Sequence, residues 1–186
     1  MKKLFFFIIS VILLSTNMQS QTKINWTDIE TAQEIAKTKD GKGKLIFIDC
    51  YTDWCGWCKV MDNKTFSDDF IAKLMNFYFI SVKFNAEQKA DISFNGNIYK
   101  YYGNGKRGYN QLASVLLQNK LAFPSFAILN NDLSSKTVLQ GYIEKDEFEM
   151  IIVYLGEKYD SNLDYNTFKA QYQNEIKPQI IKKINK

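Results

Sequence analysis

The sequence predicts an α/β fold, and three observations predict it. Segments whose apolar residues recur at helical spacing alternate along the chain with short strand-like runs. Leu45 to Tyr51 is a continuous apolar run of the kind expected for a central strand covered on both faces. Phe126 to Leu129, the turn Asn130-Asn131-Asp132 and Thr137 to Gln140 read as a strand hairpin.

The elements follow in order. Thr27-Asp28-Ile29-Glu30 has the capping-box pattern, with the Thr27 hydroxyl and Glu30 carboxylate placed to satisfy the first amides of a helix running to about Lys37. Ile29, Ala32, Ile35 and Ala36 give that helix its buried stripe. Asp40-Gly41-Lys42-Gly43 breaks the chain before the central strand, and a helix from about Cys55 to Asn63 comes after it. Ser67-Asp68-Asp69 caps a further helix with Phe70, Ile71 and Leu74 on its apolar side, and Phe77 to Phe84 reads as another strand. From Glu87 to Gly108 the periodicity is lost in Asn, Gly, Tyr and Lys, which predicts a long loop insertion (88–108) with at most a short helix. Tyr99, Tyr101, Tyr102 and Tyr109, mixed with Lys100, Lys106 and Arg107, make it either a substrate-selecting flap or a solvated surface loop. Helices are expected over about Tyr109 to Gln118 and Lys145 to Leu155. Beyond Gly156, Tyr165, Phe168, Tyr172 and Ile176 recur near helical spacing until Pro178, so 157–186 is expected to be a helical extension packed on its own domain.

Residues 1–20 read as a removable secretory signal. Lys2 and Lys3 form the charged start, Leu4 to Leu14 the apolar core, and Asn17 to Ser20 the approach to a cut after Ser20. The core of about ten residues is shorter than the span of about 20 that a permanent helix needs, so no permanent membrane anchor is expected. No cysteine follows it, which argues against lipoprotein processing. Residues 21–156 then make one domain, with the extension behind it. Without Lys2 and Lys3 the formal charge falls from +4 to +2, too little to point to nucleic acid. Aromatic residues are 15% of the chain and prolines number two, a composition for a packed core.

Cys55 and Cys58 stand two residues apart directly after the central strand, where a strand gives way to a helix. Thiols so spaced can close a small disulfide ring and reopen it by exchange, and the amide dipoles of the helix start favour a thiolate on Cys55. The chain has no histidine, which removes Cys-His nucleophile pairs, histidine metal sites and haem attachment. No cofactor and no metal site is expected. Two other readings of the pair remain at this point, a structural disulfide and half of a zinc site with Cys50 and a carboxylate. Cys50, inside the strand run, reads as a small buried hydrophobe. Trp54 and Trp57 either cover the dithiol or form an apolar contact surface for partner proteins.

The order of elements, with Trp54-Cys55-Gly56-Trp57-Cys58-Lys59 at the head of one helix, resembles the thioredoxin fold, a central mixed β-sheet flanked by helices. Trp54 through Met61, Thr65-Phe66 and Val82-Lys83-Phe84-Asn85-Ala86-Glu87 are most similar to exported thioredoxin-like proteins related to the reductase domain of the DsbD type. The resemblance covers about Ile24 to Leu155, leaving the insertion and the tail outside it. It implies that Cys55 attacks and Cys58 resolves the mixed disulfide. It implies too that Asp49 is the buried carboxylate that helps move the resolving proton, and that Lys83 is its partner on the neighbouring strand. Pro124 matches the cis-proline facing the dithiol, where Phe123 and its backbone can receive an extended substrate, and Trp54, Gly56 and Trp57 line the same place. Trp57 stands where the commonest motif has proline, a departure that bears on the potential. With no histidine beside Cys55 to stabilise its anion, the reducing end is favoured.

The function expected is therefore an exported, periplasmic or extracellular, thiol–disulfide oxidoreductase that reduces protein disulfides. Its partners are protein thiols and disulfides, and a membrane electron donor. The alternatives are a binding module without turnover, such as a chaperone or Cu(I) carrier, and a disulfide oxidase or isomerase using the same site.

Overall fold

Burial of the Leu45–Tyr51 run organises the molecule. The computed structural model describes residues 21–103 and 108–186; the expected signal over 1–20, and Lys106 and Arg107 of the insertion, lie outside them. The chain runs β1 (Trp26–Thr27), α1 (Ile29–Lys37), β2 (Leu45–Tyr51), α2 (Gly56–Lys64), α3 (Asp69–Tyr78) and β3 (Phe79–Asn85). It continues through β4 (Ile92–Phe94), β5 (Asn97–Tyr99), β6 (Tyr101–Gly103), β7 (Gly108–Asn110) and α4 (Gln111–Leu116). The hairpin β8 (Ser125–Leu129) and β9 (Ser135–Gln140), then α5 (Lys145–Gly156), α6 (Tyr165–Gln171), a π-helical turn (Tyr172–Ile176) and α7 (Lys177–Ile184) complete it.

The main sheet has the order β1-β3-β2-β8-β9. β2 lies parallel to β3 and antiparallel to β8, so it is central and hydrogen-bonded on both edges. Its alternate residues feed two cores, because successive strand side chains point to opposite faces. Leu45 and Phe47 join Ile71, Leu74, Phe126 and Phe148 beneath α3 and α5. Ile46, Ile48 and Cys50 join Val82, Phe84, Leu112 and Ala127 beneath α1 and α4. A strand buried on both faces has no polar side to show, which is why its sequence does not alternate.

Four expectations are corrected. Asp28, not Thr27, caps α1: its Oδ1 accepts from Thr31 N at 2.7 Å, while Thr27 belongs to β1 and pairs with Val82. Glu30 does not reach back to the cap, because its Oε1 accepts the Ser93 N–H from the insertion at 3.0 Å. The segment expected as a loop folds into two small antiparallel ribbons, β4–β5 and β6–β7. Asn110, fully buried, ties them down: its side chain donates to Ala90 O at 3.1 Å and caps α4 by accepting from Leu112 N at 3.0 Å. Finally, Pro178 does not end the tail helix. It sits in the first turn of α7, directly after the π-helical turn Tyr172–Ile176, and the helix continues through it to Ile184.

The tail packs as expected on its own domain. Phe168, Tyr172, Ile176 and Ile180 are buried in the same core as Phe47. Carboxylates on and just after α5 hold it further: Glu149 accepts from Tyr172 Oη at 2.8 Å and pairs with Lys177 at 2.7 Å. Glu147 does the same with Tyr165 and Lys169, and Glu157 with Tyr78 and Lys183.

Candidate active site

β2 ends at Tyr51, and the Thr52–Cys55 turn, closed by Cys55 N donating to Thr52 O at 3.1 Å, delivers the chain to α2. Cys55 is the N-cap of that helix, in extended conformation, and its Sγ accepts the Cys58 N–H at 3.1 Å. Amides at a helix start that point at a sulfur favour its anion. Cys55 and Cys58 are joined as a disulfide across a Cα separation of 5.3 Å. Gly56 opens the helix with open space where a side chain would stand, so the ring is uncrowded on that side. Cys50, fully buried, remains a free thiol, and burial holds it well above its ordinary value, as expected of a packing residue.

Behind the dithiol helix lies a charged group set among aromatic rings. Asp49 and Lys83 are register partners on β2 and β3, and Lys83 Nζ meets Asp49 Oδ2 at 2.6 Å. Lys83 also donates to Asp62, one turn beyond Cys58 on α2, so the lysine bridges the sheet to the redox helix. Its ammonium lies about 5 Å from the rings of Trp26, Tyr51 and Phe66. Burial raises the Asp49 carboxyl to about 6 against the pull of Lys83, with Asp62 adding to the rise. Burial works against the Lys83 ammonium, and the Asp49 and Asp62 carboxylates outweigh it, leaving Lys83 raised. Asp49 Oδ1 is buried without a protein hydrogen-bond partner.

On the open side, the Phe123–Pro124 bond is cis. The Phe123 ring meets Trp54 edge-on at 6.0 Å, which brings this loop alongside the motif. Gly141 N donates to Pro124 O at 2.8 Å from a residue at φ 90°, a conformation that glycine adopts without penalty. The backbone N–H and C=O of Phe123 bond no other group among the described residues. Trp54 and Trp57 are 67% and 59% exposed.

The structure thus brings Cys55, Cys58, Gly56, Trp54, Trp57, Phe123 and Pro124 to one place, with Asp49 and Lys83 behind the helix. Sequence reasoning missed Asp62, Glu87 and Tyr142. Asp62 had a signal, since four residues separate it from Cys58 and place both on one helix face. Glu87, which accepts the Trp54 indole N–H at 3.0 Å, lies at the end of the family-like run Val82 to Glu87, whereas Tyr142, whose ring lies 5.0 Å from that of Trp57, comes from a distant segment and had no signal.

The fold and the Cys55–Cys58 pair together define a thioredoxin-like protein with a Cys-x-x-Cys disulfide at the head of a helix. The chain belongs to the Thioredox_DsbH family, described as a protein of unknown function, DUF255, whose model matches residues 11–132. It is 40% identical over 58 residues to the thiol:disulfide interchange protein DsbD of Escherichia coli K12, and equally so to that of Shigella flexneri. Those alignments take in 31% of this chain and 10% of either relative, so the chain spans a tenth of their length. Among solved structures, a DsbH oxidoreductase superposes with a TM-score of 0.54 at 16% identity, over 78% of this chain and 92% of that one. A thioredoxin-fold protein from Helicobacter pylori gives 0.52 at 14%, over 75% and 86%. These likenesses bear on the fold alone. No helix among the described residues is long and apolar enough to cross a membrane.

Proposed function

We propose that the protein is exported and reduces disulfides in partner proteins. The observation that carries the reading is Cys55 at the N-terminus of α2, its sulfur held by the Cys58 amide and bonded to Cys58, beside the cis Phe123–Pro124 loop. In the reduced protein the Cys55 thiolate attacks one sulfur of a partner disulfide. The Cys55–partner S–S bond forms, the partner's own S–S bond breaks, and the displaced sulfur leaves as a thiolate that takes up a proton. Cys58 then loses its proton and attacks Cys55, closing the Cys55–Cys58 bond and releasing the second partner thiol. Two electrons and two protons pass to the partner.

Asp49 is suited to receive the Cys58 proton, since a carboxyl raised to about 6 can take up a proton near neutrality. Lys83 holds Asp49 in place and links it to Asp62 on the redox helix. The unpaired Phe123 backbone supports docking of an extended partner segment. Export is supported by the charged and apolar pattern of residues 1–20. Repeated reduction outside the cytoplasm requires an electron donor, a membrane protein that hands electrons across by thiol exchange.

The test is the potential of the Cys55–Cys58 pair, read by alkylation after equilibration in graded thiol buffers. A value below about −230 mV supports a reductase, and one above about −180 mV overturns that direction in favour of an oxidase or isomerase. Cys55→Ser abolishes disulfide reduction and Cys58→Ser accumulates mixed disulfides; turnover surviving Cys55→Ser sinks the assignment.

A further inference from the structure

Two aromatic pairs are built on the tryptophans of the dithiol motif, and each carries its own carboxylate. Trp54, next to Cys55 in sequence, meets Phe123 at 6.0 Å and donates its indole N–H to Glu87 Oε1 at 3.0 Å. Trp57, next to Cys58, lies 5.0 Å from Tyr142, whose phenol donates to Glu144 Oε2 at 3.2 Å. One oxygen of each carboxylate is taken by the aromatic donor, and the other bonds no donor among the described residues.

An exposed ring with a carboxylate pinned at its edge has the chemistry to hold a cation. The ring quadrupole attracts an ammonium or guanidinium, and the free oxygen accepts its N–H. Among the described residues, the lysines that lie over aromatic rings do so elsewhere. Lys83 lies over Trp26, Tyr51 and Phe66, Lys177 over Phe70, and Lys183 over Phe77 and Tyr78, while among the described residues Trp54 and Trp57 carry none. Asp53, exposed just before Trp54, adds a third carboxylate, against Lys59 as the one basic residue of the motif.

We propose that the partner segment docking on this rim carries lysine or arginine on either side of its reacting cystine. One cation seats against Trp54 and Glu87, the other against Trp57 and Glu144. The inference rests on the redox reading above and names the substrate class of that same site.

The experiment uses the reduced protein and two cystine peptides, identical except for Arg or Glu flanking the half-cystines, with hydroxyethyl disulfide as a small uncharged substrate. The expected result is a kcat/KM about five- to tenfold higher for the Arg peptide, from exposed cation–π and ion-pair contributions. That ratio shrinks as salt is added, and in the Glu87→Gln, Glu144→Gln double variant it falls by at least half. The ratio compares two substrates on one protein, so partial misfolding of the variant does not mimic the effect. Equal rates, or a preference for Glu, with hydroxyethyl disulfide still reduced, overturn the inference alone. Failure on all three substrates overturns the redox reading and this inference with it.

Discussion

Asp49→Asn is expected to stabilise the folded protein at neutral and alkaline pH. The carboxylate is 1% exposed, one of its oxygens has no hydrogen-bond partner, and burial raises its titration from the ordinary 3.8 to about 6. Below about pH 4 the group is protonated in both folded and unfolded chains and has no differential effect. Between about 4 and 6 the unfolded chain releases its proton while the folded one keeps it, so stability falls as pH rises. Above about 6 the folded protein bears the full cost of an ionised buried carboxylate, about 3 kcal/mol for this displacement. Asn removes that cost and keeps the shape, with its carbonyl toward Lys83. Lys83 loses one counter-charge but keeps Asp62, and its side chain is 23% exposed, so the net gain is expected at about 1–3 kcal/mol. Urea unfolding of the oxidised protein and variant from pH 4 to 8 measures it. The difference between the two isolates Asp49 from every other carboxylate. A variant no more stable at pH 8, or a gain that does not shrink between pH 6 and 4, would refute the reasoning.

Asn110→Ala removes the cap of α4 and the donor to Ala90 O, and is expected to cost about 2 kcal/mol; urea unfolding reads the loss, and faster amide exchange in β4 and β5 locates it. Phe168→Ala empties a fully buried site between α5 and the tail and is expected to cost about 3–5 kcal/mol; a loss below about 1 kcal/mol would show that the tail is not part of the core.

What the sequence disclosed depended on how far each signal reaches along the chain. β2 is where it was expected, because burial on both faces leaves a local mark, an apolar run interrupted only by Asp49. The dithiol, the strand before it and the helix behind it are consecutive in sequence, so their geometry could be read together. The insertion's strands are three residues each, too short for alternation to rise above noise, and its order rests on Asn110, which looks like any loop asparagine. Thr27 and Asp28 both suit a cap, and the pairing of Thr27 with Val82 decided between them across a separation that no local rule sees. The strand expected from Phe77 begins at Phe79, because Phe77 and Tyr78 still belong to α3 and both kinds of element accept aromatics. Glu87 and Tyr142 reach the site only through the fold.

The tail's place in the core also orders events in time. Phe47 emerges early in synthesis, whereas Phe168, Tyr172 and Ile180, which share its core, come more than a hundred residues later. That core is incomplete while the tail's Phe168, Tyr172, Ile176 and Ile180 are unmade. A chain whose core waits on these residues stays open for longer during synthesis, a condition that suits the export proposed above.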